Sequence, residues 1–511
     1  MLESLAPSVV VRRTAGVLLL MSACHHATTA PVPLSTSAGT TGSAHWVDVF
    51  FGTDDSTVAP ASPVDNGAGG STYPAAAAPF GMVQWGPDTP SAIPAGYKYS
   101  DTEIVGFSMN HVNGAGCQTA RDFPVLPFVG SAWSTEATPS VAFNHAQEIA
   151  SPGFYEVTLA SGIKVDLTVS QRTGLAQFTF PASDDAELAV LTGYYWDLIS
   201  EQTVDVQVTA SNELAGSRTD MFCGTRGLTT VYYVAQFDQD FQSTRTFGGQ
   251  PSETQANVAP GGLVLKFDTR RNPLVHMRVG LSYTSLDGAR ANLKAENPGW
   301  DFNAVHSATL ASWNDYLGRI NATGGTSEQE SLFYSALYHV FLQPELFSDV
   351  NGDYLGFDLQ VHNDGRRHYA NFSEWDIYRS WIQLVALLAP QETSDIMQSL
   401  VLDGQQGGAL PRWPYGDQDT GTMIGDPSDG LFANAWAFGA QGFDSQAALS
   451  LMVQGATVVG ASCDGLAERP DLVDWLALNY LPADPVQNNG GCGAATLEFA
   501  IADFSVGQFA Q

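Results

Sequence analysis

Basic residues are scarce in this sequence: Lys and Arg total 21 against 53 Asp and Glu, a net charge of −32 over 511 residues. Such a surface repels phosphate backbones and anionic head groups, which excludes nucleic acid and charge-driven lipid binding. Charged residues of both signs make up only 14% and hydrophobic ones 44%, so this is not a disordered chain. Its length exceeds one ordinary core, and two or three domains are expected. Long apolar runs are missing beyond the first residues, which leaves no membrane-spanning helix. No internal repeat is visible, which argues against a solenoid. Cysteines are few and none has metal-site spacing: Cys24, Cys117, Cys223, Cys463 and Cys492. The last four allow three pairings in an oxidising compartment, and the sequence does not choose among them.

What is present begins with an export signal. Arg12 and Arg13 form a basic region, 14–23 (TAGVLLLMSA) a short apolar one, and Cys24 follows. Residues 1–23 are read as a signal peptide with two outcomes: lipoprotein processing with Cys24 acylated, or cleavage near Ala23 or Ala30 without lipid. Either places the protein in the periplasm or at the cell surface, touching membrane only through a lipid anchor at Cys24. Residues 24–45, rich in Thr, Ser, Ala and Pro, are a flexible tether.

From 46 to 288 the pattern is β. Residues 155–160 (YEVTLA) alternate, Ser161-Gly162 turn, and 163–169 (IKVDLTV) alternate again, a hairpin signature. Further strands are expected at 175–180, 187–191, 206–209, 230–237, 263–267 and 275–283, without intervening helices, as in a β-sandwich. Linker helices follow over 289–327. Helices then dominate 328–511, at 328–342, 373–389, 393–402, 429–440, 445–458, 472–480 and 495–509, as in a toroid of antiparallel helix pairs. A closed six-pair toroid needs roughly 350 residues, so the helical part is expected to be truncated.

The most informative stretch is NFSEWDIYRS. Ser373 is placed as an N-cap with Asp376 in a capping box. Asp376 and Arg379 share a face near the helix start, flanked by Trp375 and Tyr378. Charged groups beside aromatic plates can grip a sugar, the former by its hydroxyls and the latter by its apolar face. The plainer alternative is a surface ion pair over core aromatics. The 50 Gly, 27 Pro and 11% aromatic residues suit a loop-rich protein that binds a flat, polar, neutral ligand such as carbohydrate.

An ordered set of motifs then resembles glycoside hydrolase family 92, the calcium-dependent exo-acting α-mannosidases. It runs through VFFGT (49–53), YPAAAAPFGMVQ (73–84), GPDT (86–89), GFSMNHVNGAGC (106–117) and DFPVLP (122–127). Later members are FYSALYHVFL (333–342), SEWDIYR (373–379), GGALPRW (407–413), MIGDP (423–427) and TLEFAIADF (496–504). The resemblance implies an N-terminal β-sandwich packed on an (α/α)6 barrel. It also implies an inverting mechanism, with one carboxylic acid as general acid and a carboxylate base activating water.

Residue by residue, the resemblance makes Glu498 the general acid and gives Asp376 and Arg379 the mannose hydroxyls. Trp375 and Trp85 become sugar-stacking plates, and His111 a residue reaching over the pocket. For Trp85 core packing, and for His111 a loop-bracing role, remain the alternatives. Asp426 and Asp429 in GDPSDG either orient substrate or make turns. Asn434 stands where the family usually has an acid, and Gly86 where it has Ser. The family's base and calcium motifs would lie beyond Gln511, so calcium is expected but no base and no metal ligand is assigned. The expected partner is a mannose-containing oligosaccharide, an N-glycan or mannan. The alternative function is a catalytically inactive mannose-glycan-binding protein.

Overall fold

A computed structural model describes residues 42–54, 71–91, 94–114, 120–130, 139–192, 203–221, 228–248, 261–483 and 492–511. The expected signal peptide, Cys24, most of the tether, Cys117 and Cys223 lie outside the described residues. Cys463 and Cys492 both carry free thiols.

The alternating segments form the expected hairpin. Phe154–Leu159 pairs antiparallel with Lys164–Val169, Val157 facing Val165, and Gly162 supplies the left-handed turn residue at φ +81°. Tyr155, Val157 and Leu159 are buried on one side of the pleat. The hairpin sits in a nine-stranded antiparallel sheet. Its spatial order is Thr203–Ala210, Glu213–Met221, Leu228–Phe237, Leu274–Ser282, Thr173–Thr179, Lys164–Val169, Phe154–Leu159, Val141–Ser151, Glu103–Ile104.

A seven-stranded antiparallel sheet lies against it, ordered Ala76–Ala77, Gln84–Asp88, Gly106–Ser108, Val125–Val129, Ala186–Leu191, Gly261–Phe267, Ser243–Gly248. Phe107, Val125, Leu188 and Leu265 of this sheet share one core with Leu167, Phe178 and Met277 of the other, which makes a β-sandwich. The strand Val141–Ser151 carries no clear alternation. Its register shifts between Phe143 and Glu148, and the buried Glu148 turns inward to accept hydrogen bonds from Tyr97, Tyr155 and His145.

Ten helices follow among the described residues: α1 (Leu286–Glu296), α2 (Phe302–Leu317), α3 (Ser327–Val340), α4 (Glu374–Ile377), α5 (Trp381–Leu388), α6 (Pro390–Gly407), α7 (Pro427–Ala437), α8 (Ser445–Thr457), α9 (Leu472–Leu478) and α10 (Cys492–Phe509). α1 and α2 pack back on the sandwich, where the Trp313 indole donates to the carbonyl of Ala77 at 2.7 Å. Phe80 exchanges backbone bonds with Phe341 and Leu346, and Arg172 pairs with Glu296 while donating to the carbonyl of Ser348. The sandwich and the helices therefore share polar as well as apolar contacts.

One expected helix is two. Residues 373–389 break at Tyr378–Ser380 into α4, a single turn, and α5. Ser373 makes no side-chain cap, so the capping box is absent; its backbone carbonyl accepts from Asp376 and Ile377 instead. α5 buries Ile382, Val385 and Ala386, which join Met397 and Leu400 of α6, Leu431 and Phe432 of α7 and Met452 of α8 in one core. α7 lies centrally, against α4, α5, α6, α8 and α10.

Candidate active site

The break between α4 and α5 turns Trp375, Tyr378 and Arg379 toward α10, while Glu374 turns toward α7. Glu374 points inward and is fully buried, hydrogen-bonded to the Ser428 hydroxyl of α7. Burial raises its carboxyl well above the usual range, with Ser428 opposing. Tyr378 lies flat on α7 because Gly430 has no side chain; a Cβ there would come within 2.8 Å of the tyrosine ring. Arg379 donates to the carbonyl of Trp375 and places its guanidinium 4.5 Å from the Trp375 ring centroid and 4.8 Å from that of Tyr378.

These groups converge on Glu498 of α10. Its Oε1 accepts from Arg379 at 2.6 Å and from the Trp375 indole at 3.1 Å; its Oε2 accepts from the Tyr378 hydroxyl at 2.7 Å. The Glu498 side chain is 12% exposed and that of Arg379 43%, so the cluster is partly open to solvent rather than in the core. Burial and the Glu498 carboxylate both push the Tyr378 phenol up. Asp376 stands on the exposed side, without a hydrogen bond to its carboxylate among the described residues. Partial burial raises its carboxyl, with Arg379 opposing.

The loop before α7 closes over Glu498. Arg412 donates to the carbonyls of Met423 and Gly421, and Asp419 accepts from the backbone of Arg412, Trp413 and Gly421. Gly425, at φ +89°, lies so close that a Cβ there would be 2.7 Å from the Cβ of Glu498.

Glu498, Trp375, Asp376 and Arg379 are thus brought to one place. Two other expected residues are not. Trp85 has no exposed surface: its indole donates to the carbonyl of Phe107, and its ring packs so tightly that a Cβ on Gly174 would meet it at 2.4 Å. It is a core residue and offers no face to a sugar. His111 is also buried, with Nδ1 2.8 Å from the carbonyl of Gln84, Nε2 3.3 Å from Asp88, and its ring 5.0 Å from that of Tyr73. It braces its loop from within.

Asp426 and Asp429 are buried too, both paired with Arg469 at 2.7 Å, so neither faces substrate. Burial, then Asp426, raises Asp429; burial, Asp426 and Asp429 raise Glu468. Asn434, in place of the family's acid, spends its amide on the carbonyl of Gly430 in its own helix. Sequence reasoning missed Gly425, Gly430 and Arg469. The two glycines that begin and end GDPSDG and an arginine beside Glu468 were the available signals, and none is specific.

Comparison with known proteins places both halves of the chain. Residues 46–282 match the glycosyl hydrolase family 92 N-terminal domain and residues 288–511 the family's catalytic domain. The fold is similar to that of the family GH92 α-mannosidase BT3965 from Bacteroides thetaiotaomicron, with TM-score 0.80 and 26% identity over 93% of this chain and 63% of that one. It is also similar to the inverting mannosidase BT2199 from the same species, with TM-score 0.77 and 26% identity over 93% and 63% of the two chains. An uncharacterized secreted glycosidase from Arthroderma benhamiae is 25% identical over 314 residues, which are 55% of this chain and 41% of that protein. The chain thus spans under two thirds of the length of each. The chain belongs to glycosyl hydrolase family 92.

Proposed function

We propose that this chain carries the proton-donating and mannose-holding groups of an inverting exo-α-mannosidase that trims terminal α-mannose from N-glycans or mannans. The observation that carries the reading is the meeting at Glu498 of Trp375, Tyr378 and Arg379, about 120 residues away in sequence. Similarity to GH92 mannosidases supports it; the structure of BT3965 has also been solved in complex with mannoimidazole. The basic-then-apolar start and the relative described as secreted support export. Among the described residues no helix is long and apolar enough to cross a membrane.

The chemistry asks one carboxylic acid to protonate the leaving oxygen while a carboxylate base activates water from the opposite face. The hydrogen bonds around Glu498 favour one of its two oxygens for that proton. Arg and Trp side chains only donate, so Oε1, which accepts from both, cannot carry it. Oε2 faces a phenol that can donate or accept, so a proton lodges on Oε2 with no more than a rotation of the Tyr378 hydroxyl. Asp376 and Arg379, both exposed, are the groups proposed to hold mannose hydroxyls, with the half-buried Trp375 beside them.

No residue is assigned as base. Among the described residues no three His, Cys, Asp or Glu side chains gather as metal ligands. The test is mannose release by the full chain from aryl α-mannosides and mannobioses, with and without added calcium. Glu498→Gln is expected to lower turnover by about 10²–10⁴-fold. Intact turnover in that variant overturns the assignment, and glycan binding with no hydrolysis under any condition supports the binding-protein alternative.

A further inference from the structure

α10 is unusual in being apolar on two opposite sides. Ala495, Phe499 and Ala502 are buried, while Leu497, Ile501 and Phe504 are 66%, 42% and 66% exposed on the far side. Burial of apolar surface alone therefore defines the rotation of this helix about its own axis poorly, because a half-turned helix would also bury large apolar groups. Something polar must choose.

Two carboxylates do so. Glu498 and Asp503 are five residues apart, roughly 140° around the helix and roughly 7.5 Å along it. They flank the buried stripe on opposite sides. Glu498 is held by α4 and its neighbours as described. Asp503 accepts from Arg469 at 2.6 Å and from the Trp475 indole at 2.9 Å.

Arg469 is itself immobile. Its side chain has no exposed surface, its Nε donates to Asp426 and a terminal nitrogen to Asp429, both at 2.7 Å, and its guanidinium lies 5.4 Å from the Phe499 ring centroid. Asp426 and Asp429 belong to the start of α7, the helix packed on α4 and α10. Glu468 fills the adjoining space so tightly that a Cβ on Gly455 of α8 would sit 2.0 Å from its carboxylate. One planar fork thus joins α7, the 464–471 loop and α10.

We propose that Arg469 is a positioning residue: by fixing Asp503 to the start of α7 it sets the rotation of α10, and so holds Glu498 against Tyr378 and Arg379. Buried ion pairs are weak sources of stability but attested fixers of register. The catalytic consequence rests on the reading of Glu498 as proton donor; the structural consequence does not.

The experiment uses the full chain labelled with 5-fluorotryptophan, the Trp375 resonance being assigned by Trp375→Phe. Asp503→Asn removes the charge that one arm of the fork holds and leaves Arg469 its two buried partners, so the variant is expected to fold; Arg469→Lys keeps the charge but not the fork. Both are expected to move or split the Trp375 fluorine signal, and to lower kcat about tenfold or more with KM within threefold. Asp503→Glu is expected to restore both readouts in part. A Trp375 signal unmoved in Asp503→Asn and Arg469→Lys, with only the melting temperature lowered, overturns the proposal. Absence of turnover in the unsubstituted chain overturns the mannosidase reading alone, and the fluorine signal still decides the role of Arg469.

Discussion

Gly425→Ala is the most direct test of how Glu498 is held. Gly425 sits at φ +89°, and an added Cβ would lie 2.7 Å from the Cβ and 3.4 Å from the Cγ of Glu498. Carbon atoms settle at about 3.5–4.0 Å, so loop and helix must part by roughly 1 Å. The left-handed backbone adds about 1–2 kcal/mol of strain in an L-residue, and overpacking about 1–3 kcal/mol. A displacement of that size at the reacting group costs on the order of 10²-fold, or about 2.7 kcal/mol of barrier.

The strain and the clash can be separated. Gly460 has nearly the same backbone, φ +90°, with nothing within 4 Å of an added Cβ. Gly460→Ala should therefore lose about 1–2 kcal/mol of stability with kcat unchanged, while Gly425→Ala loses more stability and about 100-fold in kcat. Thermal unfolding and steady-state mannoside hydrolysis on both variants read the two effects. Equal melting temperatures with kcat of Gly425→Ala inside twofold of the parent would show that the close approach does not position Glu498.

Two further outcomes do not depend on turnover or depend on its persistence. Glu345 is buried against Gln343 and Asn371, and desolvation, opposed by those two amides, raises its carboxyl from its ordinary 4.5 to about 8. A raised folded-state value means that its contribution to stability is full below about pH 4.5 and is lost as pH climbs toward 8, at about 1.36 kcal/mol per unit. Glu345→Gln cannot ionise, so its stability relative to the parent should rise by a few kcal/mol between pH 5 and 8 in denaturant titrations; a difference flat across that range refutes the burial argument. Trp85→Ala should destabilise by about 3–5 kcal/mol through the cavity it leaves, with mannoside affinity of the folded fraction unchanged; a lost affinity at retained stability would return Trp85 to the sugar.

Much of the fold was legible because its signals are local. Alternation marked the hairpin strands to within a residue or two, and the 3.6-residue period marked α8 and α10. The failures share a cause. The run 373–389 reads as one helix because every residue in it tolerates a helix, and only packing of Tyr378 on Gly430 and of Arg379 on Glu498 breaks it. Trp85 and His111 look the same in sequence whether they line a recess or a core, since exposure is set by strands paired far along the chain. Val141–Ser151 is not among the expected strands because its bulge hides the alternation around Glu148.

Arg379 was singled out from its own helix and Glu498 only through the family resemblance, and no local pattern says that residues 119 apart touch. A subtler signal was available in the scarcity with which the sequence begins. With 21 basic residues among 53 acids, most carboxylates have no cationic partner, so each buried or half-buried arginine marks a place where charge is matched by design of the fold. Arg172 ties sandwich to helices through Glu296 and the carbonyl of Ser348, Arg218 holds Asp122 within the sandwich, and Arg412 braces the loop that carries Gly425. Arg379 and Arg469 hold the two carboxylates of α10. In so acidic a chain the arginines, more than the carboxylates, point to the junctions on which the site depends.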